Sequence, residues 1–498
     1  MKRKRLIGIL FLAVSFVSNA QSSIHLTLSA VVDTLSLKAP EALIQHLAFE
    51  NELLQFENYK KGFLPSVSFS LSPFSFNRSI VKLQQATDGQ YNYVEDYASN
   101  SSASLSVTQK IPFTGGTLSA SSNLNYMNEL SRKRHSFSAT PFAFSYSQQL
   151  FGSGKTMRME KTIEYKRHEE NIKKYCKTVT GIQQKALNLF MATFLASLEK
   201  QLAQANRLAT DSLLNLAKAK HANKRMTEAD FKQMELQAVN NEYIEEQAKK
   251  NREDAVQTLI TFLGLKDNVT AVEIEAPVFT LPVSLNPETV RYYIDKNNPA
   301  MLSREIRRLE AQKTLYTSEL GRKFNANINL NYGTNKYAPN FSDLYSHPSQ
   351  QQSVSVGLSI PFSMWGINRN TARMAKNTYR SSMISIEKEI DEFSNQINRT
   401  VNNYNHSVNL WFIAERSYQL AQEQYNLTVQ EYVMGRATAY ELIASQQEQS
   451  SAMQKYYDAI SNAYENYFKI RELTLYDFEK NEEVIQPKVF FRREAIEN

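Results

Sequence analysis

Gly152-Ser153-Gly154-Lys155-Thr156 is the one run whose residue types could hold a phosphate. A Gly-rich turn opening a helix offers backbone N–H groups, and a lysine beside it offers charge. A phosphate loop also needs a glycine five residues earlier, and Gln149 stands there. The run follows an alternating, strand-like stretch, so turn chemistry is the better reading. Cys176 is the sole cysteine, which excludes a disulfide framework and a cysteine-built metal or cluster site. Seven scattered histidines make a histidine metal centre improbable as well. No polar residues converge by spacing on a catalytic pocket, so neither an enzyme nor a cofactor is expected.

Two short polar turns remain, Lys224-Arg225-Met226-Thr227 and Gly435-Arg436-Ala437-Thr438. In each, the threonine can cap the helix that follows, with Asp230 or Glu441 three residues on as a capping-box acid. Gly435 suits the left-handed position that ends a helix.

Very long helices must position these turns. The chain has only 14 glycines and 13 prolines in 498 residues, against averages of about 7% and 5%. From Met383 the apolar positions run Ile386, Ile390, Phe393, Ile397, Val401, Tyr404, Val408 and Trp411, then Tyr418, Tyr425 and Tyr432. Steps of three and four sustained so long are a coiled-coil seam. Leu187, Met191, Phe194, Leu198, Leu202, Ala205, Ala209, Leu213 and Leu216 repeat it earlier. Return helices are expected to run to about Phe262 and Leu473, making two long antiparallel hairpins.

Lys2 to Arg5, the apolar stretch Leu6–Val17 and Ser18-Asn19-Ala20 have the form of a secretory signal peptide over residues 1–20. Without its four cations, 53 basic residues face 50 acidic ones. The basic charge therefore belongs largely to the export signal, and no nucleic-acid partner is expected. No other apolar run is long enough for a transmembrane helix.

The chain reads as two repeats, residues 21–275 and 276–476, followed by a tail at 477–498. Phe151 to Lys224 and Phe362 to Gly435 are both 73 residues. The first repeat carries an insertion, placed at 73–137, and the hairpin tips are expected at 222–228 and 434–439. Strand-like alternation marks 63–72, 102–111, 116–127 and 138–150 in the first repeat, and 324–334 and 352–362 in the second. Small polar residues alternate with Val, Leu, Ile and Phe, as a lipid-facing, water-filled barrel requires. Any half-buried antiparallel strand shows the same alternation.

Together these features resemble the TolC-type outer-membrane efflux protein family over essentially the whole mature chain. The stretch that carries the resemblance best is Tyr432-Val433-Met434-Gly435-Arg436-Ala437-Thr438-Ala439-Tyr440-Glu441-Leu442. It is similar to the family's Tyr-x-x-Gly-x-x-Thr-x-x-Asp/Glu-Leu tip and has a looser counterpart 211 residues earlier. The resemblance implies a mainly α fold with membrane β: long helical hairpins, and strands that form a barrel shared by a homotrimer. Four strands from each chain would make twelve. It further implies the outer membrane of a Gram-negative bacterium, a long periplasmic extension, and passive conduction of substrates delivered by a periplasmic adaptor and an inner-membrane pump of RND or ABC type.

By the same resemblance, Tyr432 and Asp230 match residues that join neighbouring hairpins and hold the periplasmic aperture closed. Glu441 matches an acidic ring on the return helix. Ala444 stands where some relatives carry a second acid. Adaptor contact is expected at Gly435, Arg436, Thr438, Arg225 and Thr227. The bland reading of Asp230 and Glu441 is capping alone. The chief rival for the whole chain is a periplasmic membrane-fusion-type adaptor, which predicts one hairpin flanked by β-rich domains.

Overall fold

A computed structural model describes residues 23–84, 89, 91–130, 133–265, 271–275, 280–323, 325–359 and 365–484. The expected signal peptide and the tail beyond 484 lie outside the described residues. The chain divides into two units, one of residues 1–46, 176–294 and 397–498, the other of 47–175 and 295–396.

In chain order the elements are β1 Ser23–Leu26, α1 Pro40–Lys61, β2 Ser66–Gln84, β3 Tyr91–Lys110, β4 Thr117–Glu129 and β5 Arg134–Gln149, then α2 Ser153–Ala222, α3 Glu228–Leu263 and β6 Ala271–Ile274. There follow α4 Pro287–Asn297, α5 Pro299–Leu320, β7 Asn325–Ala338, β8 Ser349–Ser359, α6 Ile367–Val433 and α7 Ala439–Thr474, with two-residue strands β9 Tyr476–Asp477 and β10 Glu482–Glu483. Helix α2 has 70 residues and α6 has 67, so each is roughly 100 Å long at 1.5 Å per residue.

The first unit packs its helices around Leu187, Phe190, Met191, Tyr404, Ile460, Tyr467 and Ile470, all at most 1% exposed. Cys176 is buried there too, and burial pushes its thiol up to about 11. It is an inert packed residue. The buried carboxylate of Asp477 accepts from the Tyr467 hydroxyl at 2.6 Å and lies 3.4 Å from the Arg471 guanidinium. Burial alone would raise its pKa. Arg471, Tyr467 and two backbone N–H groups outweigh burial and hold it below the ordinary value.

The second unit holds one antiparallel sheet in the order β2-β3-β4-β5-β7-β8. Cross-strand register puts like residues on like faces. On one face lie Val67, Phe69 and Leu71, opposite Val107, Leu105 and Ala103; Ile328 and Leu330 continue it, opposite Val356 and Val354. The other face is Ser68, Ser70, Ser106 and Ser104, continuing through Ser121 and Asn123 to Asn329 and Ser355. The bulges after Ser72 and Ala139 fall at Pro73 and Pro141, where a missing N–H leaves no gap in the ladder.

The strand count differs from expectation. Four strands per chain were expected, and the sheet has six. The segment around 101–127, within the expected insertion, forms half of β3 and most of β4, which pair between β2 and β5. Serine-rich runs such as Ser99–Ser106 carry little apolar signal, yet in register their alternation continues both faces of the sheet.

Candidate functional site at the hairpin tips

Both tips lie in the first unit. Each long helix ends with one residue in the left-handed region, Lys224 at φ +54° and Gly435 at φ +75°. In each, the next N–H reaches five residues back: Arg225 to the Lys220 carbonyl at 2.8 Å and Arg436 to the Glu431 carbonyl at 2.9 Å. This is the Schellman arrangement that satisfies terminal helix carbonyls.

Thr227 caps α3, its Oγ1 accepting from the Asp230 N–H at 3.1 Å while its hydroxyl donates to Asp230 Oδ2 at 2.6 Å. Thr438 and Glu441 form a full capping box on α7. Glu441 N–H donates to Thr438 Oγ1 at 3.2 Å, and Thr438 N–H donates to Glu441 Oε2 at 2.7 Å. That backbone N–H and the Thr438 hydroxyl hold the exposed Glu441 carboxyl below its ordinary pKa, so it stays ionised. Arg225, Gly435, Arg436 and Thr438 are exposed on the turns themselves.

Tyr432 is placed differently. It is 3% exposed, in a cluster with Ala217 and Met234 of the first hairpin and Ala439 and Leu442 of the second. Asp230 is close enough for its charge to be the second cause, after burial, of a raised Tyr432 pKa. The two are therefore brought together across the hairpins, but not by a hydrogen bond. Asp230 Oδ2 takes the Thr227 hydroxyl, and the buried Tyr432 hydroxyl has no partner among the described residues. What ties Tyr432 to the first hairpin is Lys220. Its ammonium donates to the Tyr432 carbonyl at 3.0 Å and sits 4.8 Å from the ring centroid. A cation at the last carbonyls of α6 also complements the helix dipole.

Residues 294–474 match the family model described as outer membrane efflux protein. Among solved structures, the CmeC outer membrane channel of Campylobacter jejuni superposes with TM-score 0.63 at 12% identity, over 90% of this chain and 85% of that one. VceC of Vibrio cholerae gives TM-score 0.63 at 11% identity, over 90% and 95%. The open-state MtrE channel of Neisseria gonorrhoeae gives 0.53 at 12%, over 90% and 88%. No curated protein sequence matches the chain.

The fold is that of an outer-membrane efflux channel.

The family resemblance read from the sequence agrees with the family-model match over residues 294–474 and with the efflux-channel fold, and the outer-membrane placement expected from the sequence agrees with both. In this chain the two hairpin tips pack against one another, which brings Lys220 to Tyr432 across 212 residues of chain. Lys220 was not singled out from the sequence. One lysine near a helix end is unremarkable until its partner is known, although a last-turn cation is a signal that could have raised it.

Proposed function

We propose that three copies of this chain form an exit duct of a tripartite efflux or type I secretion system. The duct passively conducts substrates from the periplasm and an inner-membrane pump to the exterior. The observation that carries this reading is the six-stranded sheet of the second unit. Its Val/Leu/Ile/Phe face suits lipid and its Ser/Asn face suits a water-filled lumen. An open sheet edge in a bilayer is too costly to persist, so the sheet needs further copies to close it.

On this reading the repeats 21–275 and 276–476 supply the hairpins of the periplasmic tunnel. A periplasmic adaptor engages the exposed tip residues Arg225, Thr227, Gly435, Arg436 and Thr438, and the pump, of RND or ABC type, supplies the energy. The chain is not an enzyme. Tyr432 and Asp230, with Lys220, hold the two hairpins together at the closed aperture, and Glu441 lines it. The efflux-channel fold leaves the adaptor alternative without support. The test is single-channel recording in planar bilayers on crosslinked, counted trimers. Discrete, small, cation-selective steps support the duct, and a soluble species that never inserts removes it.

A further inference from the structure

Every strand of the sheet is long enough to cross a bilayer on its own. A tilted transmembrane strand needs about 9–11 residues, and β2, β3, β4, β5, β7 and β8 have 19, 20, 13, 16, 14 and 11. The register also levels their ends. Ser66 of β2 lies opposite Thr108, Lys110 opposite Thr117, Thr117 opposite Ser147, and Asn325 opposite Ser359. The turn joining β3 to β4 sits at the end of the sheet where the helices begin. Gly115 there is left-handed at φ +72°, an added Cβ would stand 3.3 Å from Ser153 Cβ at the start of α2, and the Ser153 hydroxyl donates to the Thr114 carbonyl at 2.6 Å. The β3–β4 hairpin therefore runs the full height of the sheet and is no surface appendage.

Among the described residues, the two outermost strands, β2 and β8, each pair along one side only. Val67 and Phe69 on β2 and Val354 and Val356 on β8 are 66–75% exposed. With six strands alternating in direction, β2 and β8 run oppositely, so β8 of one copy can pair antiparallel with β2 of the next and continue both faces unbroken.

We propose that the barrel of this protein has eighteen strands, six per protomer, with β3 and β4 built into its wall, and a wide, uncharged lumen. The proposal rests on the trimer reading above and extends it to pore size and cargo. At about 4.8 Å between strands and a tilt of about 40°, eighteen strands close at a backbone radius of about 18 Å, against about 12 Å for twelve. The lumen face carries no charge through its middle. It presents Ser68, Ser70, Ser104, Ser106, Ser119, Ser121, Asn329, Asn331, Ser353 and Ser355, and charge on this face appears away from that middle, at Lys110 beside the helices and at Asp96, Glu129 and Arg134 toward the opposite end. Such a barrel admits bulky solutes without sorting them by charge, and leaves charge selection to other parts of the duct.

The test uses the full mature chain in a Cys176→Ala background, reconstituted in lipid, with the assembly's mass measured first. Single cysteines are placed at Ser104, Ser106, Ser119 and Ser121, and at Leu105, Val107, Leu118 and Ala120. A membrane-impermeant maleimide should label the first four at least tenfold faster than the second four. Equal rates on both faces of a trimer would put the hairpin in water and overturn the proposal while leaving the duct reading intact. Electron microscopy of the unsubstituted trimer in nanodiscs gives an independent reading. Eighteen strands in the membrane section support the proposal and twelve overturn it. An assembly that is not a trimer overturns the underlying reading and the strand count with it.

Discussion

Substitution at Tyr432 separates the parts of the tip contact. The ring fills the cluster shared by both hairpins, the backbone carbonyl receives Lys220, and the buried hydroxyl has no partner among the described residues. Tyr432→Phe keeps the ring and the carbonyl and removes only an orphaned group whose burial costs about 1–3 kcal/mol. It should therefore leave the closed state as stable as before, or more so. Tyr432→Ala empties the cluster, a loss of about 3–5 kcal/mol by analogy with other buried aromatics. Lys220→Met keeps the aliphatic stem and removes a charged hydrogen bond and a cation–π contact. For a half-buried lysine the low end applies, about 2 kcal/mol. If opening separates the hairpins, that shifts the closed-to-open ratio about 30-fold per protomer. Because burial, then Asp230, raises the Tyr432 pKa, the hydroxyl stays protonated and adds no pH dependence between about pH 6 and 9. Open probability in planar bilayers should rank wild type and Phe together, Met higher and Ala highest. A Phe variant as leaky as the Ala variant would refute the reasoning and put the latch in the hydroxyl.

Three further outcomes follow from other contacts in the first unit. Glu441→Ala should raise single-channel conductance and weaken block by divalent cations; in the wild type, cation preference should persist to pH values below the ordinary carboxylate range, because the Thr438 N–H holds that carboxyl down. Recordings showing neither change would take Glu441 out of the constriction. Lys224→Gly should relieve a left-handed residue and stabilise the first tip by about 0.5–1 kcal/mol, read as two- to fivefold slower amide exchange at Arg225 and Met226; faster exchange would contradict it. Asp477→Asn should cost about 3 kcal/mol by leaving Arg471 buried without its charge partner. Because the folded carboxyl is depressed, this contribution is complete above the ordinary carboxylate pKa and fades as pH falls through the folded value. Chemical denaturation from pH 7 to 3 should show the variant's deficit shrinking in acid, and a constant deficit would count against the ion pair.

Each long helix was legible because its hydrogen bonds and its apolar stripe are both local. Met383 to Tyr432 display the seam without reference to any other segment, and Thr227 and Thr438 announce caps whose partners stand three residues away. The ends of α3 and α7, at Leu263 and Thr474, came within a residue of expectation for the same reason. What tertiary structure alone decided is partnership. The pairing of β5 with β7 joins residues such as Ser147 and Asn329 across most of two hundred positions, and the six-strand order follows from it. Every strand offers the same N–H and C=O ladder, so alternation announces a strand without naming its neighbour. The contact of Lys220 with Tyr432 is likewise silent in sequence, since a cation and a carbonyl acquire meaning only when packing sets them 3.0 Å apart.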